Sequence, residues 1–417
     1  MEDLDDHMLA QILIRLPYCV TVIACSPVSK RWYSIISEPS FHSMFAYHHK
    51  KKTTNLLMGS SSGSDIDESP WTISKITGTK WIPNGYKVNN TIRFIRESIF
   101  GSPKLSLKFL PCNTISVEAT FKDLVLCYSY LPYQGSDRLV YYITNPLTKQ
   151  WVALPPCPLD EHKWITSTAL ICQPPYNHTQ DYKYRVVAVR RSLMDYSLES
   201  LDLVVYCSEI GEWKEIKLSL PKVCTPEPDT VVCNGIVYFK SGLCLVGLDP
   251  FDVNDTCEMT LEAIVMPPLP DFGYLLESSG QLLLVHTPGR RGVSCLWYKK
   301  DGTDIELKMV VWKLDPNQAP LAWETTFNGL CKGTGKKTKS CNSGLGLCIY
   351  ATDVAVHPYN DKLIYMYFSS EQGFVLCNTR TGCIELLKSS SSYNVPSCES
   401  LFRLELQWWP TLVPALQ

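Results

Sequence analysis

Apolar and polar positions follow one rule over the first 48 residues and another over the rest of the chain. Met8, Leu9, Ile12, Leu13 and Leu16 fall at helical spacing and make one stripe. Asp residues ahead of them can cap the first turn and face its positive dipole end. Pro17 has no N–H to donate, so this helix stops at Leu16. Val20, Val22, Ile23 and Ala24 predict a short second helix, which β-branching makes dependent on tertiary support. Ser26 and Pro27 read as an N-cap and a first helical position, and Val28, Trp32, Ile35 and Ile36 continue at helical spacing to a stop at Pro39. Phe41 and Phe45, four apart, offer one more apolar face. Three short helices are expected in a unit that buries little surface alone, so its stripes must find either a partner or the rest of this chain.

From about residue 70 the period changes. Short β-rich runs alternate with Gly, Pro, Asn and Asp, and no long amphipathic helix occurs. Leu124 to Tyr128, Leu139 to Ile143, Tyr184 to Val189, Leu201 to Cys207, Ile236 to Phe239, Leu282 to Val285, Met309 to Leu314, Leu363 to Phe368 and Phe374 to Cys377 are predicted strands. A scheme of strand, tight turn and second strand recurs, led by Trp in its best examples. It runs through Asn145-Pro146-Leu147-Thr148 to Trp151, and through Glu209-Ile210-Gly211 to Trp213. Looser copies occur at Asp249-Pro250, at Asp315-Pro316 with Trp323, and at Thr381-Gly382. Spacing of this kind, every fifty to sixty residues, marks a β-propeller blade, whose sheet cannot bury its faces until neighbours stack around an axis. Closure also removes free sheet edges. The expected architecture is a small all-α unit followed by an all-β domain, a six- to eight-bladed β-propeller. A pair of β-sandwiches is the structural alternative.

The helical unit carries a resemblance. Leu4, Leu9 with Ile12-Leu13, Leu16-Pro17, Cys25, Val28-Ser29-Lys30 with Trp32, Ile36 and Pro39-Ser40-Phe41 occur in the order and spacing of the F-box. Asp5 stands where the family usually has Pro after the first Leu, and Pro27 where many members carry a small or apolar residue. The resemblance implies docking on a Skp-type adaptor, linked in turn to a cullin and a RING subunit. It also implies that Leu4, Leu9, Ile12, Leu16, Pro17, Val28 and Trp32 supply the apolar adaptor contact, some of them also serving the unit's own core. Lys30 and Arg31 read as solvated or rim charges. Further along, Asn145-Pro146-x-Thr148-x-x-Trp151-x-x-Leu154-Pro155-Pro156 resembles a motif of the F-box-associated and kelch-like propellers of plant F-box proteins. The paired glycines of a good kelch repeat are mostly missing. The expected organisation is an F-box at 1–48, a linker or first propeller loop at 49–69, which holds a Gly59 to Ser64 small-residue run, and a substrate-recognition propeller at 70–417.

Composition narrows the function. A formal net charge of -2 gives no global field for nucleic acid or an acidic membrane. No apolar run approaches the roughly 18 residues that span a bilayer, and Glu2, Asp3, Asp5 and Asp6 reverse the charge a secretory signal needs. An intracellular protein, cytoplasmic or nuclear, is expected. Its 18 cysteines then read as reduced thiols, with Cys127, Cys207, Cys244 and Cys377 inside apolar strands. Cys331, Cys341 and Cys348 are too widely spaced for a zinc knuckle. Gly59 to Gly63 fits G-x-S-x-G without the flanking strand and helix that a nucleophile elbow needs, and Gly335 to Thr338 breaks the phosphate-loop pattern.

The histidines are scattered. His286 and His357 read as packed or surface residues, and Arg290-Arg291 as exposed turn charge. Lys332, Lys336, Lys337 and Lys339 could gather at a blade mouth toward an acidic or phosphorylated ligand. No catalytic, cofactor-binding or metal-ligating residue is assigned. The reading is a non-catalytic substrate receptor of a ubiquitin ligase with an unknown protein substrate. The alternatives are a ligand- or glycan-binding propeller outside a ligase and a kelch-like propeller enzyme.

Overall fold

In a computed structural model of the protein the described residues are 4–16, 19–38, 40–45, 47–49, 72–76, 92–94, 107–112, 115–133, 136–158, 163–174, 182–192, 200–219, 226–241, 244–252, 262–265, 267, 273–278, 280–286, 295–298, 304–315, 322–334, 348–357, 360–368, 373–387, 400–404 and 411–414. Pro17, the run Gly59 to Ser64, Arg290-Arg291, Cys341 and Lys336 to Lys339 lie outside them.

Helix α1 spans Asp6–Ile14, capped by Asp5, whose Oδ1 accepts from the Met8 N–H at 2.6 Å. The residue that replaces the family's proline therefore closes the first turn. Helix α2 spans Cys19–Cys25. Ser26–Val28 form a 3-10 turn rather than the start of the third helix. Helix α3 spans Lys30–Ser37, with Ser29 as its cap accepting from the Trp32 N–H at 3.1 Å. Ser26 instead donates its hydroxyl to the Ile23 carbonyl at 2.6 Å, which commits it to the end of α2. Residues 40–45 and 47–49 are also helical, so the unit has more than the three expected helices. Phe41 and Phe45 are buried in the same cluster as Leu9, Leu13, Val22, Ile35 and Ile36. They complete the unit's own core and do not form a face for docking the sheets.

Beyond the helical unit, the described residues form mostly antiparallel sheets. Strand β1 (Thr72–Ile76) pairs with β2 (Ile92–Phe94) and with the last strand, β24 (Ser400–Leu404), in register Thr72 to Leu404. β3 (Ser116–Phe121), β4 (Leu124–Tyr133), β5 (Ser136–Asn145) and β6 (Gln150–Ala153) form the second blade. β7 (Lys163–Cys172), β8 (Tyr184–Ser192), β9 (Ser200–Cys207) and β10 (Glu212–Ser219) form the third. β11 (Pro226–Cys233), β12 (Ile236–Ser241), β13 (Cys244–Leu248) and β14 (Glu262–Val265) form the fourth.

A nine-stranded sheet holds the remaining strands. Its first part is β15 (Tyr274–Ser278), β16 (Gln281–His286), β18 (Asp304–Asp315) and β19 (Ala322–Thr334), the fifth blade. Its second is β20 (Cys348–His357), β21 (Asn360–Phe368), β22 (Gly373–Asn378) and β23 (Cys383–Leu387), the sixth. β17 (Cys295–Tyr298) bridges β18 and β20, and β19 pairs in parallel with β23, which merges the two blades into one sheet. All nine strands predicted from sequence fall within observed ones.

The first strands close a ring: β3 packs beside β7, β7 beside β11, β11 beside β15, β15 beside β20, β20 beside β24, and β24 beside β3. The described strands therefore make a six-bladed propeller, the lower end of the expected range, with the chain's last strand innermost in the blade that β1 and β2 begin.

Side-chain alternation explains why the strand runs are apolar on every residue. Leu124 and Leu126 enter the cluster shared with the third blade, while Val125 and Cys127 enter one on the other side. Likewise Tyr184 and Val186 face the second blade and Val187 and Val189 the fourth. Leu282 and Leu284 face the fourth blade, and Leu283 and Val285 the sixth. Successive side chains leave opposite faces of a strand, and here both faces meet a neighbouring blade.

The outer hairpins share one turn. Lys149, Gly211 and Gly382 donate their N–H groups to the carbonyls of Asn145, Cys207 and Asn378 at 2.8, 2.9 and 2.8 Å. All three adopt positive φ, at 60, 68 and 67°. A buried polar bolt adds to the closure by β24. Asp123 accepts from the Thr411 N–H at 2.9 Å and from Asn145 Nδ2 at 2.9 Å, Asn145 Nδ2 also reaches the Thr411 carbonyl at 2.8 Å, and Tyr182 donates to the Leu412 carbonyl at 2.7 Å. Thr411 and Leu412 thus tie the second and third blades together.

Asp123→Ala leaves two buried donors without their acceptor, so unfolding in urea should show a loss of about 2–4 kcal/mol. Deleting residues 411–417 should cost a similar amount, and the two changes together should cost less than their sum. Gly382→Ala puts a Cβ on a left-handed residue and should cost about 1–2 kcal/mol by the same measurement.

Candidate functional site

The helical unit presents two kinds of apolar residue. Leu9 is 3% exposed and belongs to its core, while Ile12, one turn on from Met8, is 47% exposed. The stripe expected on α1 is therefore split, with Leu9, Ala10, Leu13 and Ile14 turned inward and Met8 and Ile12 outward. Val28 is 64% exposed on the 3-10 turn, and Leu16 and Trp32 are half-buried against the core. Leu4 is half-buried as well.

Arg31 proves to be more than a rim charge. Its guanidinium donates to the Leu4 carbonyl and lies 2.6 Å from the Asp6 carboxylate, tying the chain entry to α3. His49 Nε2 donates to the Ile14 carbonyl at 3.0 Å and so holds the end of the unit against α1. Among the described residues, the unit's core cluster contains none beyond Phe45. Met8, Ile12 and Val28 are thus left uncovered by the sheets.

A second candidate lies on the ring. At the end where first strands turn into second and third into fourth, the second to fifth blades surround a recess of about 540 Å³. Phe121, Phe251, Lys122, Asp249, Asn234 and Glu277 are among its lining residues. The walls are tied together. Asn234 Nδ2 donates to the Gly280 carbonyl at 2.8 Å, joining the fourth blade to the fifth, and Glu277 Oε1 accepts from the Gly280 N–H at 2.8 Å.

Beneath Phe251, the Arg185 guanidinium lies 4.8 Å from the ring centroid and donates to the Pro250 carbonyl at 3.1 Å. Glu209 holds that guanidinium in a two-point contact, with Lys183 3.6 Å away. Burial alone would raise the Glu209 pKa, but the Arg185 hydrogen bond and charge outweigh it and hold the carboxyl at about 2.

None of these recess residues stands out in the sequence for ligand chemistry. They come from four blades and have no spacing in common; the Asp249-Pro250 and Glu209-Ile210-Gly211 turns are visible there, though only as turns. His286 and His357 are buried, His286 beside Trp312 at 6.5 Å and His357 with its carbonyl accepting from Ser278 at 2.6 Å. Cys127, Cys207 and Cys377 are buried strand thiols, and Cys244 lies on β13. Lys332 is exposed on β19, 3.7 Å from Glu306. Among the described residues, no three His, Cys, Asp or Glu side chains gather as metal ligands, and no helix is long and apolar enough to cross a membrane.

The described residues thus form two parts, a short helical unit and an all-β propeller. The F-box domain model matches residues 1–44, and the model described as F-box protein At3g26010-like, beta-propeller matches residues 87–405. The chain belongs to this family of F-box β-propeller proteins.

It is similar to "Putative F-box/kelch-repeat protein At1g15680" of Arabidopsis thaliana, 23% identical over 94% of this chain and 85% of the relative. It is also similar to "Putative F-box protein At3g23950" of Arabidopsis thaliana, 24% identical over 91% of this chain and 84% of the relative. Among solved structures, the Penicillium chrysogenum alpha-L-arabinanase complexed with arabinobiose is 13% identical, with a TM-score of 0.34 over 62% of this chain and 75% of its own. At that score the likeness bears on no functional question. F-box proteins with such a propeller are in general substrate adaptors of SCF-type ligases, typically non-catalytic, and the F-box binds Skp1-type adaptors.

Because the folded-state pKa of Glu209 is depressed, its pair with Arg185 contributes stability above the ordinary carboxylate pKa, and that contribution is lost as pH falls toward about 2. Replacing Glu209 with Gln should flatten the stability profile between about pH 4.5 and 2, read by denaturant midpoints at each pH.

Proposed function

We propose that this protein is the substrate-recognition subunit of a Skp–cullin–F-box ubiquitin ligase. Its helical unit holds the adaptor, through it a cullin and a RING subunit, and its propeller holds a protein target. The chemistry is proximity: target lysines are brought near a ubiquitin donor carried by another subunit.

The observation that supports this reading best is the exposure of Ile12 and Val28 on a unit whose core is already complete. Apolar side chains of that size left outside a finished core mark a surface for another polypeptide. In this reading Leu4, Ile12, Leu16, Val28 and Trp32 contact the adaptor, Pro17 with them, and Leu9 acts from the core. Target, linkage type and compartment are set by partners, and an intracellular location follows from the ligase itself.

Neither Ile12→Ala nor Val28→Ala touches the unit's core cluster, so the chain carrying both should stay folded by circular dichroism. Its affinity for a Skp1-type adaptor should fall by about thirtyfold or more, near 2 kcal/mol, in pull-down and calorimetric titration. A wild-type chain that captures no such adaptor would overturn the proposal.

A further inference from the structure

We infer that the recess at the turn end of the ring is the target site, and that it takes an extended peptide segment presenting a lysine or arginine side chain. This rests on the receptor reading and adds which face of the propeller binds and what it binds. Size sets the first limit. A cavity of about 540 Å³ suits a small ligand or a few side chains, and a folded domain could enter it only by a protruding loop.

The walls of the recess are also tied together. The fourth and fifth blades are joined across it by Asn234 and Gly280, and Phe251 is held over Arg185, which Glu209 neutralises. A preorganised wall of this kind loses little entropy when a ligand arrives.

The lining supplies the chemistry. Two half-buried aromatic rings, Phe121 and Phe251, share the recess with two carboxylates, Asp249 and Glu277. Aromatic faces and carboxylates together favour a cation with an aliphatic stem, by cation–π attraction and charge-assisted hydrogen bonds. Lys122 is the cation among the described lining residues, so the ionisable groups there sum to a negative charge. Each carboxylate already uses one oxygen on its own turn, Asp249 Oδ1 on the Phe251 N–H at 2.9 Å and Glu277 Oε1 on the Gly280 N–H. These bonds fix both groups in place.

The same bonds allow a clean test. Asp249→Asn with Glu277→Gln keeps an acceptor oxygen for each turn and removes both charges. The full chain, purified with its adaptor, is titrated by fluorescence anisotropy with blocked, labelled heptapeptides. Each peptide carries Arg, Lys, citrulline, norleucine or Glu at its centre between apolar residues, and arginine amide serves as an unlabelled competitor.

The Arg and Lys peptides should bind most tightly, and the double variant should weaken them by about tenfold or more while leaving the norleucine peptide unchanged. Phe251→Leu should weaken the same two peptides. Equal binding of the Arg and norleucine peptides overturns the inference, as does equal binding by the double variant or no binding of any peptide up to about 1 mM. Arginine amide competing as strongly as the peptide itself would place a small amine there and overturn the peptide. Adaptor co-purification is read in the same samples. If the adaptor is retained while the peptide result is negative, only this inference fails; if the wild type retains no adaptor, the receptor reading fails.

Discussion

The ring depends on one constraint: a four-stranded blade whose strands are apolar on both faces cannot exist alone. Leu124 and Val125 are each fully buried, yet they point to opposite sides, so both flanks of the second blade must be covered. The same holds for the third and fourth blades through Val186 and Val187 and through Leu245 and Val246. A row of such units satisfies its middle members and strands its ends. Here the ends satisfy each other, because β24 completes the sheet that β1 began, in a register joining Thr72 to Leu404. Segments more than three hundred residues apart in sequence thus share one sheet, and the ring closes only when both are present.

That closure also explains where the buried polar groups sit. At the ends of strands the ladder runs out, and backbone N–H and C=O groups need other partners. Side chains supply them between blades. Arg185 reaches the Pro250 carbonyl, Asn234 the Gly280 carbonyl, Lys240 the Gly273 carbonyl and Trp213 the Pro155 carbonyl. Each bond crosses from one blade to the next, so the groups that satisfy the backbone also fix blade spacing. Asp123 is the extreme case. Desolvation raises its pKa despite the hydrogen bonds from Thr411 and Asn145, and the chain end is held by the same bonds that justify burying it.

Sequence and structure agree where the information is local. The strand, turn and Trp-led strand around Asn145 and Trp151 was legible because turn residues and β-rich runs lie within a dozen positions. Helix α1 was legible from its caps and its period. The start of α3 was not, because Ser26-Pro27 and Ser29 are both sound caps, and the Ser29 bond from Trp32 together with the Ser26 bond to Ile23 shows which one the chain uses. Blade number, the fusion of the fifth and sixth blades through β17 and β19, and the recess all depend on pairings between distant segments, which leave no periodic trace. Asn145 shows both sides of this. Its place in the turn motif was visible, while its bond to Thr411, 266 residues away, was not.

The two halves of the chain solve opposite problems with the same residue types. The ring consumes its apolar strands inwardly, and what it leaves at the turn end is a small, stiff, mixed surface set by polar ties between blades. The helical unit has a core cluster of its own, and Met8, Ile12 and Val28 are among the apolar side chains left exposed on it. A mixed recess discriminates among ligands by charge and shape, whereas exposed apolar side chains gain free energy from any matching apolar partner and select mainly by fit. In the proposed receptor reading, variation among targets belongs to the loops and turns of the ring, and the apolar surface of the helical unit suits a partner that stays the same. That division of labour comes from where each half places its unspent apolar surface, whatever the partners are.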